Sequence, residues 1–163
     1  MSSTPFGVCS PPSVEGCLAC DLAAGRLPLP GGVIHETELW LVEHCVGPLG
    51  VGTLIVKPRR HVLHVWELTE AEAAELGPLL RETASVIASL TQPDQVYVCL
   101  WSHKGGVPVH IHFVVQPVTK EQRERYGGGA RVQVAMFDAQ VPPPSGEVEA
   151  LAERARAAFA ERA

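Results

Sequence analysis

Gly105-Gly106-Val107-Pro108-Val109-His110-Ile111-His112-Phe113-Val114-Val115-Gln116-Pro117 is the stretch from which the fold is read. The residues from Val109 to Val115 predict a strand. Side chains alternate along a strand, so Val109, Ile111, Phe113 and Val115 share one face, and His110, His112, Val114 and Gln116 share the other. The first face reads as core. The second carries two imidazoles about 6.5 to 7 Å apart, close enough to act on one substrate, or for one to hold a metal beside the other. Spacing alone does not choose between these roles, and a His-x-His pair is also compatible with a merely solvated sheet face.

Working outward, Ser102-His103-Lys104-Gly105-Gly106 is a loop that can bring backbone N–H groups near a phosphate. It follows a strand predicted over Val96 to Trp101, which the turn signal Gln92-Pro93-Asp94 precedes. Further back, Thr69 and Glu72 form a capping-box signature. Leu76, Leu79, Leu80, Thr83, Val86, Ile87 and Leu90 then recur at helical spacing, predicting one long helix from Glu70 to Leu90 with a candidate kink at Gly77-Pro78. Val33 to Glu36 and Leu39 to Glu43 read as a hairpin, and Thr53 to Val56 as a third strand. A short helical turn is expected over Cys20 to Leu27, stopped by Pro28 and Pro30.

Beyond the quoted stretch, the glycine run Gly127 to Gly129 leads into a strand predicted over Val132 to Phe137. After Pro142-Pro143-Pro144, an Ala/Glu/Arg helix is expected from about Glu147 to Arg162. Residues 1–15, rich in Ser and Pro, are expected to be a flexible arm. The order of elements is α+β with a mostly antiparallel sheet, and it lacks the βαβ alternation and glycine fingerprint of a dinucleotide fold.

The chain has 163 residues, 46% of them hydrophobic, which suits one compact domain with an addition. Its net charge of −5 and scattered basic residues argue against a nucleic acid polymer as partner. No basic start with an apolar core opens the chain, and no stretch approaches the roughly 18 apolar residues of a membrane span, so a cytoplasmic location and no membrane partner are expected. Five cysteines, only Cys17 and Cys20 closely paired, fit a reducing compartment. Cys17-x-x-Cys20 is a metal-ligand spacing without a second such pair, so histidines would have to complete a four-ligand site. The alternatives are two buried thiols or, with less support, a redox pair. Cys9, Cys45 and Cys99 read as bystanders.

Taken together, Gly52-Thr53-Leu54-Ile55-Val56-Lys57-Pro58-Arg59-Arg60-His61, the helix, and the glycine loop leading to His110-Ile111-His112 resemble the histidine-triad family. The opening Cys17-Leu18-Ala19-Cys20-Asp21-Leu22 is similar to the start of many bacterial members. The resemblance covers residues 16–118 as the family domain, leaving 119–163 as a C-terminal extension with a strand and a terminal helix. It implies a five-stranded antiparallel sheet and a homodimer. It also implies a nucleotide hydrolase in which His112 attacks the α-phosphorus of a dinucleoside polyphosphate or phosphoramidate, forming a nucleotidyl-histidine. A nucleotidyltransferase or phosphorylase with the same intermediate, and a zinc-stabilised nucleotide-binding protein with little turnover, are the alternatives.

The same resemblance implies a structural zinc held by Cys17, Cys20, His61 and His110. It places Gly105 and Gly106 near the phosphates, with Arg59 or Arg60 adding positive charge unless simply solvated. The family's ribose-binding acid falls on Glu43 or His44. The chain departs from the family at the third histidine, where Val114 stands. A valine cannot protonate a leaving group, which leaves His103 and Gln116 as the substitutes to consider.

Overall fold

The architecture follows from where apolar runs meet turn signals, and the computed structural model describes residues 13–162. Cys9 and the expected arm as far as residue 12 lie outside the described residues. The elements in chain order are α1 (Leu18–Ala23), β1 (Val33–Glu36), β2 (Trp40–His44), β3 (Leu54–Pro58), a 3-10 turn (Val65–Glu67), α2 (Glu70–Thr91), β4 (Gln95–Leu100), β5 (His103–Lys104), β6 (Val107–Pro108), β7 (Phe113–Val118), α3 (Lys120–Tyr126), α4 (Ala130–Ala139) and α5 (Ser145–Ala160). The fold is mixed α and β. Its main sheet has five strands in the order β1-β2-β3-β7-β4, every neighbouring pair antiparallel, and β5 and β6 form a separate small hairpin.

The long helix forms where its capping box places it. Thr69 Oγ1 accepts from the Glu72 N–H at 3.2 Å, and the Glu72 carboxylate accepts from the Thr69 N–H at 2.8 Å. The helix runs unbroken through Gly77-Pro78 and ends at a left-handed Gln92. One sheet face, carrying Trp40, Val42, Leu54, Val56 and Val115, packs against Leu79, Val86 and Ile87 of α2 and Leu151, Ala155 and Phe159 of α5. Trp40 is wholly buried, and its indole N–H finds the Glu72 carbonyl at 3.2 Å, which is how a polar-edged aromatic enters a core without an orphaned donor.

The other sheet face departs from expectation. It is covered by a second apolar cluster of Leu49, Ile55, Val114, Val118, Val132 and Met136. The strand expected over Val132 to Phe137 is therefore corrected to the helix α4. Val132, Val134 and Met136 alternate as in a strand, but the buried residues are Val132, Gln133 and Met136, the spacing of one helical face. α3 also forms where no element was expected, started by a capping box between Thr119 and Gln122. The strand expected from Val109 begins instead at Phe113. Before it the chain leaves the ladder: the Val109 N–H goes to the Ser102 carbonyl and the Ile111 N–H to the Val62 carbonyl. No helix among the described residues is long and apolar enough to cross a membrane.

Candidate active site and metal centre

Four side chains from three separate segments converge on one point. Cys17 immediately precedes α1 and Cys20 sits in its first turn, His61 follows β3, and His110 precedes β7. Their ligand atoms all lie within 4.8 Å of one another. Cys20 Sγ is 3.4 Å from Nδ1 of both His61 and His110, and Cys17 Sγ is 3.8 Å from His110 Nδ1. In a tetrahedral Zn site, bonds of about 2.0 to 2.3 Å put neighbouring ligand atoms about 3.3 to 3.8 Å apart, the range in which these three distances lie, so the donor set suits a zinc ion.

The second ring nitrogen of His110 strengthens the fit. His110 Nε2 donates to the Pro58 carbonyl at 3.0 Å, which leaves the Nδ1 lone pair aimed at the thiols, the tautomer a metal requires. Burial, with the charges of His61, Lys57 and His112 acting in the same direction, pushes His110 down to about 4 and keeps the ring neutral. Burial likewise raises the Cys20 thiol.

His112 is half-buried, two residues beyond that cluster. Its Nδ1–H donates to the His110 carbonyl at 3.0 Å, so Nε2 is turned away from the backbone and the ring is held beside a candidate metal ligand. Gly105 and Gly106 form the tip of the β5–β6 hairpin, at φ +59° and +80°, conformations that glycine adopts without strain. His103 lies exposed on the same hairpin.

The remaining sequence candidates are committed to other partners. Glu43 and Lys57 form a buried pair at 2.6 Å, and Lys57 Nζ also donates to the Ala19 carbonyl of α1 at 2.8 Å. Burial raises the Glu43 pKa against the opposing pull of Lys57, and Glu43 Oε2 has no hydrogen-bond partner. His44 donates from Nδ1 to the Cys45 carbonyl at 2.8 Å and accepts at Nε2 from the Gly52 N–H at 2.9 Å, so both ring nitrogens are used internally. Gln116 is wholly buried, its amide directed at the Leu49 carbonyl and Met136 Sδ, and it is not presented to a ligand. Arg59 pairs with Glu36, and Arg60 makes two bonds to Glu72, at 2.8 and 3.1 Å. Both arginines thus fasten β3 to its surroundings.

Two residues went unrecognised in the sequence. Lys57 gave no signal of burial, because a lysine before Pro58 reads as a strand end. Gln133 gave none because its segment reads as a strand. It is buried on α4, where its Oε1 accepts from Trp101 Nε1 at 2.7 Å and its Nε2 donates to Cys99 Sγ at 3.0 Å. Two surface hollows, of about 500 and 210 Å³, are lined by the β1–β2 turn with α2 and by Pro142 to Pro144 with α4; His112 lines neither.

No protein-family model matches the chain. Among curated proteins, an adenosine 5'-monophosphoramidase of Schizosaccharomyces pombe is 26% identical over 117 residues, 69% of this chain and 80% of that protein. Among solved structures, a histidine triad nucleotide-binding protein of Sulfolobus tokodaii superposes with TM-score 0.68 at 17% identity, covering 89% of this chain and 93% of that one. A Zn-bound histidine triad family protein of Mycobacterium smegmatis gives TM-score 0.66 at 19% identity, over 90% and 95%.

Proposed function

We propose, from the premise that this chain belongs to the histidine-triad family, that it is a cytosolic nucleotide hydrolase cleaving a nucleoside phosphoramidate or dinucleoside polyphosphate at the α-phosphorus. The observation that carries this reading is the hydrogen bond from His112 Nδ1 to the His110 carbonyl, which leaves Nε2 as an oriented nucleophile. Nε2 forms a bond to phosphorus as the bond from phosphorus to the leaving nitrogen or oxygen breaks, and the leaving group takes its proton from water, since Val114 has none to give. Water then attacks the nucleotidyl-histidine, releasing the nucleoside monophosphate and the free imidazole.

In this reading Gly105 and Gly106 present backbone N–H groups to the phosphates, and His103 on the same hairpin adds a polar contact. Glu43 Oε2 is a buried carboxylate oxygen without a partner, so a ribose hydroxyl would reach it only if the α1 cover over Glu43 and Lys57 moved. Cys17, Cys20, His61 and His110 would hold the zinc, which as a closed four-ligand site supplies a cross-link between α1 and the sheet. β4 ends the sheet with one edge unpaired among the described residues, and a second copy of the chain in a homodimer would cover it.

The burial of Val114, 4% exposed, favours a second reading, a nucleotide-binding protein with little turnover. The full chain is incubated with adenosine phosphoramidate and with diadenosine tetraphosphate beside a His112→Ala variant. Release of AMP by the parent, lost in the variant, supports the proposal. Undiminished cleavage in the variant overturns it, and AMP binding without cleavage by the parent selects the binding protein.

A further inference from the structure

Two elements cover the sheet face that carries Val114, two residues beyond His112, from opposite ends of one row. α1 lies over Lys57 and Glu43, which Lys57 shows by its bond to the Ala19 carbonyl. α4 lies over Ile55 and Val114 through Val132 and Met136. The cross-strand row Glu43, Ile55, Val114, Cys99 is covered along its whole length, with Gln133 closing its far end. Val114 therefore has a reason to be apolar: the place a third histidine would use is the floor under a helix.

A nucleotide whose phosphorus meets His112 must lay its remaining atoms on adjoining parts of this face, so one cover has to give way. α1 is tied down by Cys17 and Cys20 at the four-ligand cluster. α4 is suspended between Gly127-Gly128-Gly129, where Gly127 and Gly129 have φ of +87° and +66°, and Pro142-Pro143-Pro144. Glycine backbone turns easily, and the proline run breaks the helix from its successor. The polar ties of α4 to the sheet among the described residues are few: Gln133 to Trp101 and Cys99, the Gly129 N–H to Tyr97 Oη at 3.0 Å, and the Gln116 amide to Met136 Sδ at 3.3 Å.

Resting on the reading of His112 as nucleophile, we infer that α4 is a movable cap over the substrate ground beside His112, latched to β4 by Gln133. In the closed state the cap keeps Val114 dry and narrows access to Nε2. In the open state the segment swings on its glycines and frees the row for a nucleoside phosphate. Losing one ordinary hydrogen bond shifts an opening equilibrium about fivefold, which sets the scale of the effect.

The test uses the metal-loaded full chain and needs no nucleotide for its first arm. Diethyl pyrocarbonate modification is followed at each histidine by peptide mass mapping, for the parent, Gln133→Ala and Gln133→Met. Gln133→Met keeps volume and apolar packing while removing both polar bonds. The cap requires modification of His112 to speed up by at least about fivefold in both variants with His64 unchanged, and kcat/KM on adenosine phosphoramidate to rise in parallel. An unchanged His112 rate overturns it, as does an equal rise at His64, which marks general loosening. Faster His112 modification in a protein that cleaves no phosphoramidate keeps the cap and removes the hydrolase. Cleavage with a His112 rate indifferent to Gln133 does the reverse.

Discussion

Lys57 Nζ and Glu43 Oε1 lie 2.6 Å apart with both side chains almost wholly out of water. Two charges in a low-dielectric interior balance a large desolvation cost against their attraction, and removing one partner leaves the other uncompensated. Lys57→Met is expected to cost about 3 to 5 kcal/mol. The double variant Lys57→Met/Glu43→Leu should recover most of that loss. Urea unfolding of the two single variants and the double variant measures the difference, and additive losses would show that the pair is not coupled.

The Cys17, Cys20, His61 and His110 cluster predicts one zinc per chain and a strong link between metal and stability. A donor set closed by two thiolates and two imidazoles binds only when folded, so binding energy becomes folding energy. Chelation should lower the melting temperature, with recovery on adding Zn²⁺. Cys20→Ser should abolish that recovery, because Cys20 touches both histidines at 3.4 Å. A melting curve indifferent to chelator, with no zinc in the purified protein, would remove the site.

His44 predicts an acid-sensitive term in stability. Burial lowers its pKa below the usual imidazole value, opposed by its bond to the Cys45 carbonyl. The contribution is fully present above the unfolded pKa of about 6.5, where both states are neutral. It is lost as the pH falls from there through the folded value, because the unfolded chain takes up a proton that the folded chain refuses. Comparing unfolding free energies at several pH values, His44→Gln should show a shallower decline below pH 6.5 than the parent.

Gly31 predicts how tightly α5 sits. At φ +80° a Cβ there would stand 2.5 Å from the Ala152 Cβ, so Gly31→Ala meets both backbone strain and a clash, an expected loss of about 1 to 3 kcal/mol. Gly146→Ala, in the first turn of α5 with open space around it, should be neutral or stabilising. Thermal unfolding of the two variants distinguishes a close approach from a general intolerance of change.

How much of this was legible in the chain differs by element. α2 was readable because its capping box and its apolar period act within a few residues of one another, and Thr69 and Glu72 bond as their spacing requires. The three strands before it were readable because each is an apolar run bounded by turn residues. α4 was not, since Val132, Val134 and Met136 satisfy strand and helix patterns alike and the choice rests on contacts with Val114 and Ile55, far away in sequence. The buried state of Lys57, Glu43 and Gln116 was equally invisible, because residue type alone places a lysine or a glutamine at the surface.

By itself the order of residues determined the α+β class, the long helix and the chemical kinds of group available: two thiols at metal spacing and two imidazoles two residues apart. These are local properties, set by backbone geometry and by functional groups that a few neighbouring residues specify. Only the tertiary structure decided which groups meet and which are closed off. Bringing Cys17, Cys20, His61 and His110 within 4.8 Å, and laying α4 across Val114, depends on long-range burial of apolar surface, a sum over the whole chain that no short window contains.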